Sequence, residues 1–284
     1  MSMINIQNLT RDYGAGKGIF DVSFEVEKGE VFGFLGPNGA GKTTTIRHLM
    51  GFVKPQSGNC QINGLNCWKD RDRIQEQLGY IPGEISFFDD MSGKEFLKFA
   101  ADYRKLGKDN RMQEMMDRFE LNPKGKIKKM SKGMKQKLDI VAAFMHDPDI
   151  LVLDEPTSGL DPLMQNRFIE LIAEEKKKGK TILLSSHMFE EVERTCDRIG
   201  IIRAGKLVTV DSVETLRERH MHTYTVTLDT PEMAHAFSKD FGGTCNGVNV
   251  TVSAKQSLET ILWKRKWKTK IWKCSAMRLF RRQC

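Results

Sequence analysis

The sequence contains no hydrophobic run long enough to cross a membrane. Its longest apolar stretches, such as IVAAFM and ILVL, fall far short of the ~20 residues that a transmembrane helix needs. The first residues, MSMINIQNLTRDYG, also lack the charged start and apolar block of a signal peptide. With 39% apolar and 29% charged residues among 284, we expect a soluble chain of one large domain, alone or with a small appendage.

The chain has few cysteines, and none of them form a C-x-x-C pair. This spacing disfavours a zinc site and a disulfide framework, and it indicates a reducing, cytosolic compartment. The six cysteines are Cys60, Cys67, Cys196, Cys245, Cys274 and Cys284.

Acidic residues are absent from the last part of the chain. Residues 262–284 hold nine Lys and Arg, so the net charge of +8 becomes −1 without them. The basicity therefore belongs to the tail rather than to the body of the protein. Trp263, Trp267 and Ile271 have helical spacing, which is compatible with a basic helix at a membrane surface. Nucleic-acid binding and translation of a shifted reading frame are the alternatives.

Strand and helix patterns alternate along most of the chain, which predicts an α/β fold with a largely parallel central sheet. Residues 3–13 and 18–36 show the alternation of antiparallel strands, and about 87–146 are mostly helical. In the segment after Asp161, a helical spacing of apolar residues predicts one buried face, with Asp161 as its cap and Pro162 in its first turn. We expect domains at 1–215 and 216–260, followed by the tail at 261–284.

A glycine-rich stretch joins a predicted strand to a predicted helix. Residues 36–44, GPNGAGKTT, match the phosphate-loop pattern G-x-x-x-x-G-K-[ST] in that context. Glycines let backbone N–H groups face phosphate oxygens, and the helix N-terminus adds positive charge. Lys42 would neutralise phosphate charge and Thr43 would ligate Mg²⁺. The predicted nucleotide-binding residues here are Gly36, Pro37, Asn38, Gly39, Ala40, Gly41, Lys42, Thr43 and Thr44.

The apolar strand ILVLDEP ends in two adjacent acids, Asp154 and Glu155. Such a pair at the end of a buried strand requires a cation or a positive loop opposite it. Asp154 is predicted to hold Mg²⁺, directly or through water. Glu155 is predicted to activate the attacking water as a general base. A solvated turn without a ligand is the alternative interpretation.

The lysine-rich stretch MSKGMKQKL, residues 130–138, precedes an apolar helical pattern. Ser131 suits the N-cap of that helix, and a hydroxyl and a glycine at a helix start favour an anion site. A basic patch for nucleic acid and a merely solvated face are the alternatives.

In their order, these motifs resemble the ATP-binding subunits of ABC transporters over about residues 3–215. The resemblance implies a P-loop NTPase core with an antiparallel β subdomain and an inserted helical subdomain, followed by a small α+β appendage. It implies that Ser131 and Gly133 close over the γ-phosphate of ATP held by a second copy of the chain. It further implies that His187 contacts the γ-phosphate and that Tyr13 stacks on adenine. The loop expected to line the dimer interface consists of Ser158, Gly159, Leu160 and Asp161.

The resemblance also implies cofactors and partners. They are ATP and Mg²⁺, a separate membrane permease and a second copy in a head-to-tail dimer, with no nucleic acid. The chain would lie peripherally at the cytoplasmic face of the membrane and power export of drugs, antibiotics or lipids. A soluble ABC-type ATPase acting on the ribosome or on nucleic acid is the alternative. Such ribosomal proteins usually carry two cassettes, and DNA-repair members carry a long coiled coil.

Four positions of the resembling motifs depart from the family pattern. In residues 130–134, which match the family's signature loop, Lys132 and Met134 replace Gly and Gln, and Met130 replaces Leu. Gly83, in GYIPGE, stands where the family usually has a Gln that contacts Mg²⁺ and water. Because glycine has no side chain, we expect the geometry of that loop to differ, and Glu84 could substitute only after a backbone shift.

Overall fold

The computed structural model describes residues 2–84, 86–87, 90–108, 110–219, 222–254 and 279–282. Within these ranges the chain divides into two compact units, with the boundary between Val213 and Glu214. No helix in the described ranges is both long and apolar enough to cross a membrane. The helix predicted for the tail, with Trp263, Trp267 and Ile271, lies outside the described residues.

Strands and helices alternate in the first unit as the sequence pattern predicts. In chain order the elements are β1 (Ser2–Asp12), β2 (Gly18–Glu27), β3 (Val31–Leu35), α1 (Lys42–Leu49), β4 (Ser57–Ile62), β5 (Leu65–Asn66), α2 (Arg71–Gln77), β6 (Leu78–Ile81), α3 (Gly93–Tyr103), α4 (Met112–Arg118), α5 (Lys132–Phe144), β7 (Ile150–Asp154), α6 (Pro162–Lys177), β8 (Thr181–Ser186), α7 (Phe189–Thr195), β9 (Arg198–Arg203), β10 (Lys206–Ser212) and α8 (Val213–Arg219), the last of which crosses the unit boundary.

Two sheets form the body of this unit. The larger has the order β10-β9-β3-β8-β7-β6, and its strands are parallel except for β10. The smaller is antiparallel, with the order β2-β1-β4-β5. Because the carboxyl ends of β3, β7 and β8 meet at one edge of the larger sheet, the loops that follow them lie close together. The predicted α/β fold with an antiparallel β subdomain is confirmed.

Buried side chains join the two sheets into one core. Phe24 of β2 stacks on Phe32 of β3 with ring centroids 5.0 Å apart. Ile46 and Leu49 of α1 are fully buried in the same cluster. Burial of such side chains contributes roughly 1.5–3 kcal/mol each, so α1 is anchored behind the loop that precedes it.

Helices α3, α4 and α5 form the inserted helical segment. Ser92 caps α3, since its hydroxyl accepts from Glu95 N–H while the Glu95 carboxylate accepts from Ser92 N–H. Ion pairs attach α4 to α6: Arg118 contacts Glu174 at 2.6 Å, and Arg111 at the start of α4 contacts the buried Glu175 at 2.9 Å. These charged contacts hold the helical segment against the core.

Helix α6 begins as the sequence predicts. Asp161 Oδ1 accepts from Met164 N–H at 3.0 Å, and Pro162 occupies the first helical position. Its predicted apolar face is buried, with Phe168 among the residues at 0% exposure. The residues of that face are Met164, Phe168, Leu171 and Ile172.

The second unit is a small α+β fold with its own core. Its elements are β11 (His222–Thr227), α9 (Pro231–Phe241), β12 (Thr244–Asn246), β13 (Asn249–Ala254) and β14 (Leu279–Arg282), and its sheet has the order β12-β13-β11-β14. Val226, Phe237 and Val250 are fully buried between helix and sheet. The sequence pattern of this region also predicts a second helix after β13, which lies outside the described residues. The domain boundary at 215/216 remains a prediction.

Candidate active site

The phosphate loop lies between β3 and α1 and presents an uncapped helix N-terminus. Gly41 precedes α1 with φ of 112°, and no side chain caps the helix. A Cβ at Gly41 would lie 2.7 Å from Ile19 Cγ2, so both the backbone conformation and the space require glycine. The first N–H groups of α1 therefore remain available to an anion.

Lys42 holds the loop closed on itself. Its ammonium is buried and donates to the carbonyl oxygens of Gly36 at 2.7 Å and Pro37 at 3.2 Å. It also lies 3.2 Å from Glu155 Oε1. The predicted phosphate-binding lysine and the predicted base are thus in direct contact.

Asp154, at the end of β7, has one carboxylate oxygen with a partner and one without. Oδ1 accepts from the Ser185 hydroxyl. Among the described residues, buried Oδ2 has no hydrogen-bond partner. Burial raises the pKa of Asp154, although the Ser185 hydroxyl and the nearby Thr43 hydroxyl oppose this. A buried oxygen without a partner is costly, and a cation at this point would remove the cost.

Gly83 lies directly against this orphaned oxygen. A Cβ there would be 2.7 Å from Asp154 Oδ2 and 3.5 Å from Thr43 Oγ1. The residue that departs from the family pattern therefore leaves the space between the two predicted metal ligands free. The neighbouring Glu84 does not take its place, because its carboxylate is 89% exposed and lies 3.6 Å from Arg47.

Glu155 has a strained backbone and a well-defined side chain. Its φ of 47° lies in the left-handed region, which non-glycine residues rarely adopt outside functional sites. Its N–H donates to the carbonyl and to the hydroxyl of Ser185, at 3.2 and 3.1 Å. Its carboxylate lies between Lys42 and His187, with His187 Nδ1 3.4 Å away. The two predicted catalytic residues are therefore brought together.

Lys42, Gly83 and Glu155 line a cleft of about 610 Å³, within the range of small-molecule sites. Tyr13 lies in its wall, 54% exposed, with the Arg11 guanidinium 5.3 Å from its ring centroid. The predicted site residues that line the cleft are Tyr13, Asn38, Gly39, Gly41, Lys42, Thr43, Thr44 and Glu155.

The signature loop lies elsewhere and packs on the loop after β7 of its own chain. Lys132 Nζ donates to Ser158 Oγ at 2.8 Å. A Cβ at Gly133 would lie 2.7 Å from Gly159 O. Ser131 and Gly133 are not among the residues that line the cleft, nor are those of the predicted interface loop. In that loop Leu160 is buried within its own subunit, and Asp161 caps α6. A single subunit therefore gathers only part of the predicted site.

Several polar residues behind the cleft were missed by the sequence interpretation. Ser185 and Ser186 end β8, and Glu191 follows on α7 with Thr157 bonded to its carboxylate. The available signal was the pair of hydroxyls that closes the otherwise apolar strand TILLSS. Since strand ends at this edge carry functional groups, such residues are candidates even without a motif.

The fold and the cleft together define a nucleotide hydrolase of the phosphate-loop class. A family model described as "ABC transporter" matches residues 19–158. The bacitracin transport ATP-binding protein BcrA of Bacillus licheniformis is 38% identical over 224 residues, covering 77% of this chain and 72% of the relative. The linearmycin resistance ATP-binding protein LnrL of Bacillus subtilis (strain 168) is 36% identical, with coverages of 76% and 71%.

A solved structure supports the same assignment. The "ATP binding subunit of ABC transporter" shares 32% identity with a TM-score of 0.70, covering 77% of this chain and 93% of the other. The chain belongs to the ATP-binding subunits of ABC transporters. It binds and hydrolyses ATP, and it works with a membrane partner that this hydrolysis powers.

Proposed function

We propose that two copies of this chain bind two ATP molecules head to tail and hydrolyse them at composite sites. The observation that carries this proposal is the division of the site. Glu155 and Lys42 line the cleft in direct contact, and His187 contacts Glu155, whereas the loop of Ser131 and Gly133 packs on Ser158 and Gly159 of its own chain. A second subunit can supply those two residues, because the family's signature loop acts on nucleotide held by the partner.

Within each half-site the residues have separate tasks. Tyr13 stacks on adenine, and the phosphate loop binds phosphate oxygens through its backbone N–H groups. Lys42 exchanges its contacts with loop carbonyls for the negatively charged phosphates. Glu155 accepts a proton from the attacking water, while His187 contacts the γ-phosphate. The products are ADP and phosphate.

The geometry fits a Mg²⁺ ion at one point. Thr43 Oγ1 and the orphaned Asp154 Oδ2 face the same space beside Gly83, and both are the oxygen ligands that Mg²⁺ prefers. When bound, the ion would neutralise charge on the β- and γ-phosphates. The absence of a side chain at Gly83 leaves this coordination to Thr43, Asp154, water and the nucleotide.

We further propose that the membrane partner is an exporter and that the chain binds it peripherally at the cytoplasmic face. The names of the two relatives, which mention bacitracin transport and linearmycin resistance, support antibiotics as the substrate class. Loss of the chain in its own cell should then increase sensitivity to such compounds. Unchanged sensitivity across a panel of antibiotics that includes bacitracin and linearmycin would contradict the exporter assignment.

Dimer formation tests the composite site directly. Glu155→Gln should bind ATP without hydrolysing it and should accumulate as a dimer, measured by light scattering with ATP and with ADP. The dimer should depend on ATP, since only ATP offers a γ-phosphate to the partner's signature loop. A Glu155→Gln chain that binds ATP yet stays monomeric at all concentrations would contradict the head-to-tail proposal.

A further inference from the structure

A buried carboxylate with no role in the proposed mechanism lies behind the catalytic cleft. Glu191, on α7, is 6% exposed. Its Oε1 accepts from Thr157 Oγ1 at 2.7 Å, and its Oε2 accepts from Ser186 Oγ at 2.5 Å. Burial raises the pKa of Glu191, and the two hydroxyls oppose this rise.

The two hydroxyls come from the two loops that carry the predicted catalytic residues. Thr157 follows Glu155 by two positions in the loop after β7, and Ser186 directly precedes His187 at the end of β8. The Ser186 hydroxyl also accepts from Met188 N–H at 3.0 Å, on the other side of His187. One carboxylate therefore connects the loop of Glu155 to the turn of His187.

The loop after β7 requires such a connection because the backbone of Glu155 is strained. Glu155 has a left-handed backbone conformation, which persists only where surrounding contacts hold it. The loop after β7 is fixed on one side by Gln136 of α5, whose Nε2 donates to Pro156 O at 2.7 Å. Glu191 fixes it on the other side through Thr157. A buried carboxylate is costly to maintain. An apolar residue could fill the same space at lower cost, but it could not accept hydrogen bonds from both loops.

We propose that Glu191 is a positioning residue for ATP hydrolysis, because its carboxylate holds the loop of Glu155 in register with the turn of His187. Glu191 is buried, and in this proposal it acts through Glu155 and His187 rather than by contact with the nucleotide. The inference rests on the roles proposed for Glu155 and His187. It goes beyond them by assigning their alignment to a third residue.

Two threonines of equal burial allow a matched test. Thr157 and Thr195 are each 5% exposed and each donate to Glu191. Thr157 donates to its carboxylate, whereas Thr195 donates to its backbone carbonyl at 2.9 Å. Thr157→Val and Thr195→Val make the same chemical change, and each removes a buried hydrogen bond to Glu191; Thr195→Val also removes a 3.3 Å contact with Cys196 Sγ. Only Thr157→Val releases the loop of Glu155.

ATP hydrolysis by the full chain should be measured over a range of ATP concentrations for both variants. We expect Thr157→Val to lower kcat about 10-fold, since small misalignments of reacting groups are costly, with KM for ATP within about 2-fold. Thr195→Val should keep kcat within about 2-fold, with a similar loss of thermal stability. Thr157→Ser, which retains the hydroxyl, should restore most of kcat, and Glu191→Ala should lower kcat further than Thr157→Val.

Equal kcat losses in the two valine variants, or no loss in Thr157→Val, would overturn the inference. A rise in KM without a change in kcat would overturn it as well, because the role would then be in binding. Glu155→Gln in the same series separates the two proposals. If Glu155→Gln is inactive and Thr157→Val is normal, only the positioning role fails. If Glu155→Gln is fully active, the proposed base itself fails.

Discussion

Two helices begin beside the predicted nucleotide-binding motifs, and their N-termini differ. Helix α1 follows Gly41 and has no side-chain cap. Helix α5 follows Ser131, whose hydroxyl already accepts from Met134 N–H at 3.2 Å. The next residue, Lys132, donates to Ser158 of the same chain. The phosphate loop is thus open to an anion, while the signature loop is satisfied by its own subunit.

The difference indicates that the two motifs act at different stages. An open N-terminus can bind phosphate in the single subunit without losing a capping hydrogen bond. The signature loop must exchange internal hydrogen bonds for contacts with a nucleotide held by another subunit. We therefore expect changes in the phosphate loop to weaken ATP binding by the single subunit, and changes in the signature loop to leave that binding intact and to slow ATP hydrolysis by the assembled state.

The largest effect is expected for Lys42→Ala. Removing the ammonium deletes a charge-assisted interaction with the phosphates, so the Kd for ATP should rise about 100-fold. Isothermal titration of the single subunit would measure this change. Arg47→Ala is the control, because Arg47 also lines the cleft but is 48% exposed and pairs with Glu84. An equal rise in the Kd for ATP in both variants would show that Lys42 contributes no more to binding than another cleft cation.

Ser131→Ala tests the same comparison at the signature loop. ATP binding by the single subunit should stay unchanged, while ATP hydrolysis at high chain concentration should fall about 10-fold, as for the loss of one charge-assisted hydrogen bond. Both Ser131 and Ser92 are N-caps, so Ser131→Ala and Ser92→Ala should each cost about 1 kcal/mol of stability. Ser92→Ala should leave hydrolysis intact. A matching loss of hydrolysis in Ser92→Ala would show that capping alone explains the effect.

The local features of the two motifs were accessible to sequence interpretation. The phosphate loop, the cap of α5 by Ser131 and the cap of α6 by Asp161 depend on residues within a few positions of one another. The contacts of Glu155 with Lys42 and His187, and the bridge through Glu191, join residues from different strands. Such pairings depend on strand order and on the direction of each side chain, which no local pattern encodes.

The two helices also differ in the titratable group that each buries. Burial lowers the pKa of His48 on α1, and it raises the pKa of Asp139 on α5 to about 7. Asp139 Oδ2 is buried and has no partner among the described residues. Between about pH 4, where the unfolded Asp titrates, and about pH 7, the native state holds more protons at this residue than the unfolded state. The contribution of Asp139 to the free energy of unfolding is therefore present at low pH and is lost as the pH rises towards 7.

Asp139→Asn should remove this dependence. We expect the free energy of unfolding at pH 8 to increase by about 1–3 kcal/mol, the cost of a buried group without a partner. At pH 4 the variant and the wild type should differ little. Urea unfolding at pH 4, 6 and 8 would measure the trend. If the free energy of unfolding depends on pH in the same way in Asp139→Asn and in the wild type between pH 4 and 7, then Asp139 is solvated or paired in solution.

The smallest effect is expected for Lys132→Ala. The hydrogen bond to Ser158 is exposed, so its loss should lower the free energy of unfolding by about 0.5–1 kcal/mol. ATP binding by the single subunit should not change. Lys135→Ala, one turn nearer the middle of α5, is the control for removing a lysine from this helix. A loss above about 2 kcal/mol for Lys132→Ala alone would show that the contact between the two loops is structural.

The central claim is a two-subunit site in which Glu155 acts as the base. The most direct measurement is the specific rate of ATP hydrolysis by the purified chain at increasing protein concentration, beside Glu155→Gln. We predict that the specific rate rises with concentration, and that Glu155→Gln is slower by about 100-fold or more at every concentration. A specific rate independent of concentration, with Glu155→Gln as active as the wild type, would contradict both parts of the claim.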